Sequence, residues 1–175
     1  MFRQRLQKKI LDKAVAKRKV QFVSLDMIKR ITFIFDVTDE DSMEAVKFLT
    51  SYAGDNRIEY QGMAINLGKN NSSEAVLGHG IKLITKKNLS KLGVPDFDIV
   101  QRFINDCSDL FIDFSKKYCF VNEYLALSSM SGFKVGRHTP EPNPYDLVIK
   151  SDEDKNSALD FVKKLLFYLN SIKPL

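Results

Sequence analysis

The sequence predicts an α/β protein built on a mainly parallel, Rossmann-like sheet with helices on both faces. Two observations carry that expectation. Short runs rich in β-branched and aromatic residues, bounded by charge or turn residues, recur along the chain, and they alternate with segments of helical periodicity. A third sets the scale: 175 residues, 44% of them hydrophobic and 28% charged, suit one globular domain with ample core and exclude a disordered chain.

The elements follow in order. Phe2, Leu6, Ile10, Ala14 and Val15 recur at helical spacing, which predicts an amphipathic helix from residue 2 to about 18. Gln21–Leu25 is a short apolar stretch, either an edge strand or a brace. Ile31–Val37 (ITFIFDV) reads as a buried strand, and Thr38-Asp39-Glu40-Asp41 as the start of a helix that stops at Gly54. Met63–Leu67 is the second strand, preceded by extended Arg57–Tyr60, and Gly68–Gly80 is a loop. Ile81–Thr85 is the third strand, Leu89–Leu92 a helical turn closed by Gly93, and Pro95 sits just inside a helix running to about Asp106. Leu110–Phe114, Phe133–Gly136 and Tyr145–Ile149 are three further strands, with a helix at Cys119–Met130 between the first two. Ala158, Phe161, Val162, Leu165, Leu166, Leu169 and Ile172 define a terminal amphipathic helix. The link Arg137–Pro144 holds three prolines and is short for a parallel crossover. The sixth strand is therefore expected to be either antiparallel or an edge strand reached by an unusual bridge.

Composition narrows the function classes. The two cysteines, Cys107 and Cys119, have neither metal-ligand nor redox spacing, so reduced thiols in a reducing compartment are expected. Charges interrupt every apolar stretch of the first 24 residues, which argues against a secretory signal, and no run approaches the roughly 18 apolar residues of a membrane span. A cytoplasmic protein is the expectation. The N-x-S triplets at Asn70 and Asn71 then carry no meaning.

Motifs for chemistry fail on physical grounds. Gly78-His79-Gly80 lacks the third glycine, Leu83 standing in its place, and precedes a strand instead of following one. Gly68-Lys69 lacks both the first glycine and the Ser/Thr of a P-loop. Three D-x-D triplets (Asp39–Asp41, Asp96–Asp98, Asp152–Asp154) all fall at expected helix starts, where capping accounts for them. Neither His79 nor His138 has a metal partner at ligand spacing, and Ser115 lacks the glycines of a nucleophile elbow. No cofactor and no metal is expected.

Two candidate sites remain. In open α/β sheets ligands bind outside the carboxyl ends of the strands. That rim carries Asp36, Thr38, Asp39, Asn66, Lys69, Asp113, Ser115, Lys116, Lys117, Arg137 and His138. Lys117, Arg137 and His138 should lie together and hold an anion while Asp36 or Asp113 orients a hydroxyl; the ordinary polarity of loops is the alternative. The second site is the N-terminus. Residues 1–19 hold Arg3, Arg5, Lys8, Lys9, Lys13, Lys17, Arg18 and Lys19 against Asp12 alone, a net +7. The chain totals +5, so residues 20–175 sum to −2. The basicity is an appendage, expected to be removable from a folded body at 20–175, and a cationic helix gains salt-sensitive affinity for phosphates by releasing counterions. Docking on the body, or lying on an anionic membrane through Phe2, Leu6, Ile10 and Leu11, are the alternatives.

Asp109-Leu-Phe-Ile-Asp113-Phe-Ser, Tyr124-Leu-Ala-Leu, Phe133-Lys-Val-Gly-Arg137 and Pro144-Tyr-Asp-Leu-Val-Ile149, in this order and spacing, resemble a family of small bacterial proteins classed as a domain of unknown function. The resemblance runs from the basic start to Ser171-Ile-Lys-Pro and implies a bacterial cytosolic protein without implying catalytic residues. Locally, Asp109–Arg137 is similar to the acceptor half of heptosyltransferase-type glycosyltransferases, whose nucleotide-sugar half has no room in this chain. The expected function is a non-catalytic binding or adaptor protein meeting RNA or a ribonucleoprotein, less readily a membrane surface. The rival is an enzyme or ligand-binding domain for a phosphorylated or nucleotide-like molecule at the rim.

Overall fold

A computed structural model describes residues 2–68, 77–150 and 157–172. Lys69, Asn70, Asn71 and the Asp152–Asp154 triplet lie outside the described residues. The core is one six-stranded sheet in which every neighbouring pair is parallel. Its strands are β1 (Arg30–Asp36), β2 (Glu59–Asn66), β3 (Ile81–Thr85), β4 (Leu110–Asp113), β5 (Phe133–Gly136) and β6 (Leu147–Val148). Their order is β3-β2-β1-β4-β5-β6, the doubly wound order of the Rossmann fold. The chain winds outward from β1 to β3, then returns to lay β4 against the other side of β1. The carboxyl ends of β1 and β4 therefore flank the topological switch point.

Helices α2 (Ser42–Asp55) and α5 (Ala158–Ser171) pack together on one face of the sheet. The other face is covered by α3 (Phe97–Ile104) and α4 (Phe120–Ser128), with α1 (Phe2–Ala14) packed outside α4. Alternation along β1 feeds both layers: Ile31, Phe33 and Phe35 point to the α2/α5 side, Ile34 to the other. Phe114 continues the first layer, its ring stacked on Phe35 at 5.5 Å and on Phe33 at 5.9 Å between centroids. Both faces being covered explains why ITFIFD is nearly continuous apolar sequence.

The sixth strand settles the open choice: β6 is an edge strand, parallel to β5. Residues 137–146 suffice as a return because β5 and β6 are four and two residues long. A return of roughly 13 Å is well within the ~33 Å that ten extended residues span. Elsewhere boundaries shift. The first helix ends at Ala14, and Gln21–Leu25 forms no strand but braces β5, with the Gln21 amide on the Gly132 carbonyl at 3.0 Å and Phe22 edge-on to Phe133 at 5.2 Å. The expected helical turn at Leu89–Leu92 is a β-turn closed from the Gly93 amide to the Ser90 carbonyl, 2.8 Å, following a short 3-10 turn at Lys86–Asn88. Pro95 pairs with Leu89, and α3 starts two residues later behind an Asp96 cap.

Candidate functional site

The switch-point rim is assembled from the β1–α2 and β4–α4 loops. Asp36 accepts from the Thr38 amide (2.8 Å) and hydroxyl (2.7 Å), closing the turn off β1. Asp39 reaches across the crevice and accepts from the Lys116 amide at 2.7 Å. Burial pushes the Asp39 carboxyl up, opposed by that N–H. Asp41 accepts from the Leu159 amide at the start of α5 (3.0 Å) and pairs with the Lys116 ammonium (3.0 Å). Burial works against ionisation there too, yet the Leu159 amide, the Ser157 hydroxyl and Lys116 hold this carboxyl well below the usual range. Asp39–Asp41 stands at the start of α2 as the sequence predicts, Asp41 being its N-cap residue, but neither carboxylate caps an α2 amide. Both join distant segments, whereas Asp96 caps α3 through the Asp98 amide at 3.2 Å.

Beneath the crevice Asp113 is fully buried, accepting from the Tyr145 hydroxyl at 2.6 Å and the Ser115 amide at 3.0 Å. Desolvation pushes its carboxyl up, and the Tyr145 hydroxyl, the Ser115 amide and the Ser115 hydroxyl oppose it. Tyr145 gets this close because it crosses Gly136, where an added Cβ would lie 2.6 Å from the ring. Ser115 Oγ accepts from Asn122 Nδ2 at 2.7 Å, and Asn122 accepts from Cys119 Sγ. Burial raises the Cys119 thiol, the reverse of nucleophile activation. Arg137 is buried, donates to the Phe114 carbonyl at 3.1 Å and lies 5.2 Å over the Phe161 ring. His138 Nε2 is 3.1 Å from the Ser115 carbonyl, its ring 5.4 Å from Tyr118.

Of the rim candidates, Asp113, Ser115, Arg137 and His138 thus converge on the β4–α4 loop, with Lys117 exposed on that same loop. Asp36 stands across the crevice on β1. Asp113, Ser115, Arg137 and His138 bond here to backbone and to the neighbouring side chains Tyr145 and Asn122. Sequence reasoning missed Tyr145, Asn122 and the bridging role of Lys116, because only tertiary pairing gives them partners. Cavities at the other end of the sheet include one of about 210 Å³ lined by Lys19, Gln21, Cys107, Ser108 and Gly132 among others.

The basic N-terminus is docked. Leu11 is buried, while Leu6, Ile10 and Ala14 are half-buried on the same side of α1. Gln7 Nε2 donates to the Leu92 carbonyl at 2.8 Å. The following segment shares with Ser129 and Lys134 in capping the end of α4. The Leu125 carbonyl takes the Ser129 amide, the Ala126 carbonyl takes Lys134 Nζ (2.5 Å) and the Leu127 carbonyl takes the Ala16 amide (2.9 Å). Arg18 donates to the Gly132 carbonyl (3.0 Å) and pairs with Asp146 at 2.7 Å, both side chains being 12–14% exposed. The arm thus contacts the body through α1, Ala16 and Arg18, the α4–β5 turn offering Arg18 two carbonyls and the segment before β6 a carboxylate. Arg3, Arg5, Lys8, Lys9, Lys13, Lys17 and Lys19 are exposed.

Lys134 is the charged group this latch buries. Desolvation, then the nearby Arg18, lowers its ammonium to about 7, with Asp146 opposing. An unfolded lysine titrates near ~10.4, so between pH 7 and 10 the unfolded chain binds the extra proton and stability rises with pH. Replacing Lys134 by Met removes that slope. Urea unfolding of both proteins should show the wild type gaining on the variant by up to about 1.4 kcal/mol per pH unit from pH 7 to 9. Parallel curves would show the lysine to be unshifted.

A 3-2-1-4-5-6 parallel sheet with a hydrogen-bonded cluster at its switch point, and a basic helix packed on its α4 side, defines a Rossmann-like α/β protein. The chain belongs to a family of unknown function, DUF6913, whose model matches residues 3–172 and so takes in α1 as well as the sheet. Among curated proteins none matches it. No helix of the described residues is long and apolar enough to cross a membrane.

Proposed function

We propose that this is a non-catalytic cytoplasmic binding protein that associates with RNA or a ribonucleoprotein through phosphate contacts on α1. The observation that carries the reading is the orientation of that helix. Its apolar stripe is engaged with the body, and Arg5, Lys8, Lys9 and Lys13 stand on the opposite, exposed side with Asp12 the lone acid among them. The same orientation counts against a membrane surface: with Leu11 buried and Leu6 and Ile10 half-buried, Phe2 is the one large apolar residue of α1 left outward. The rim reading, a phosphorylated or nucleotide-like ligand at the switch point, is favoured by the strand order but disfavoured by Asp113, Ser115, Arg137 and His138 already bonding to backbone and to Tyr145 and Asn122.

The test is a variant with Arg5, Lys8, Lys9 and Lys13 all replaced by Gln, checked for native far-UV circular dichroism. Binding to single-stranded RNA between 50 and 200 mM salt should lose about three units of the log–log salt slope, at ~0.7 per neutralised phosphate. An unchanged slope overturns the reading.

A further inference from the structure

The cations of α1 do not stop at the helix. Gln7 Nε2 holds the Leu92 carbonyl, and a Cβ placed on Gly93 would lie 3.8 Å from Arg3 Nη2. The Ser90–Gly93 turn is thus fixed against the first turns of α1. Within it the Ser90 Oγ accepts from the Val94 amide at 3.1 Å, and Gly93 takes φ +88°, a conformation that a side chain would strain. The two central residues divide the work: Leu92 is half-buried with its carbonyl bonded to Gln7, and Lys91 is exposed at the tip.

The turn follows β3 and leads into α3, so it sits at the carboxyl end of the sheet. From there α1 runs beside α4 to the opposite end, where Ala16 meets Leu127. Thirteen helical residues at 1.5 Å each spread its charges over about 20 Å. The acids Asp96 and Asp98 open α3 just past the turn and would repel a polyanion running that way, which leaves the path along α1.

We propose that the Ser90–Gly93 turn is a second element of the polyanion interface, with Lys91 and Arg3 extending the cation row of α1 over the carboxyl end of the sheet to grip a phosphate backbone without regard to sequence. The sequence independence follows from the side chains available. Arg5, Lys8, Lys9, Lys13 and Lys91 are exposed cations for phosphates, which carry no base information, and Gln4 is the one exposed amide of α1. The inference rests on the reading of α1 as the RNA-binding face.

Lys91→Gln and Arg3→Gln, singly and together in the full chain, separate the two claims. The probes are a uridine homopolymer, a mixed-sequence RNA of equal length and anionic phosphatidylserine vesicles. Each substitution is expected to lower the magnitude of the salt slope by about 0.7 for both RNAs, with equal affinities for the two and native circular dichroism. Unchanged slopes in both single variants, while the four-residue α1 variant loses binding, overturn the extension and leave the α1 reading standing. A strong preference for one RNA overturns the sequence independence. Wild-type protein that binds neither RNA, or binds the vesicles alone, overturns both readings.

Discussion

Replacing Arg18 by Met is expected to cost about 3 kcal/mol of unfolding free energy, a fall of roughly 5–10 °C in Tm for a chain of this size. The guanidinium reaches three acceptors at once: Asp146 at 2.7 Å and the Gly132 and Ser131 carbonyls at 3.0 and 3.4 Å. With both partners of the ion pair mostly withdrawn from water, truncating one leaves a carboxylate short of its cation. Two compensations limit the loss. Asp146 keeps the Lys134 amide at 2.8 Å, and Lys134 is relieved of a like charge. The exposed neighbour Lys17 is the control, and Lys17→Gln should stay within ~0.5 kcal/mol. Urea unfolding of the three proteins decides the matter. A cost below ~0.5 kcal/mol for Arg18→Met would mean that the arm lies on the body without being held there, as a detachable appendage would. Deleting residues 1–19 removes this latch together with the Ala16 amide that caps α4, so that truncation is expected to destabilise the body as well as remove cations.

The pattern that made the sheet legible is the same pattern that left the site obscure. ITFIFD, LFID and FKVG announce buried strands by composition, and alternation with helices implies parallel pairing covered on both faces. Strand order is a different matter. Nothing in the residues of β4 states that it lies against β1 and not β3; the choice is made by the packing of α3 and α4 on one face. Local rules failed where a side chain found a distant partner. Asp39 and Asp41 do mark the start of α2, but the donors that fix their carboxylates are the distant Lys116 and Leu159 amides. Arg18 looks like one more cation of a basic run, because the acceptors that engage it come from more than 110 residues away. Of the rim candidates, position along the strands was enough to gather Asp113, Ser115, Arg137 and His138. Their hydrogen-bond partners were invisible because Tyr145 and Asn122 enter from segments with no motif.

Tyr145→Phe is expected to destabilise the protein by about 2–4 kcal/mol, and by more at pH 8 than at pH 5. The hydroxyl donates to a fully buried carboxylate at 2.6 Å, beside the Ser115 amide at 3.0 Å and the Ser115 hydroxyl. Removing a donor from a buried charge costs its share of desolvation outright. The pH dependence follows from linkage. Burial raises the folded Asp113 above its unfolded range near ~3.9, so over that interval the folded chain binds the extra proton and stability falls as pH rises. The Tyr145 hydroxyl holds this rise in check, and its loss carries the folded titration further upward. The interval over which stability is lost then widens at its upper end, so the deficit relative to wild type grows with pH. The tyrosine itself is pushed well above 10 by burial, then by Asp113, and takes no part in this range. Chemical denaturation of both proteins at pH 5 and pH 8 gives the two differences directly. An equal or larger deficit at pH 5 would show that Asp113 is not the group stabilised, and that Tyr145 acts through the packing of its ring over Gly136 alone.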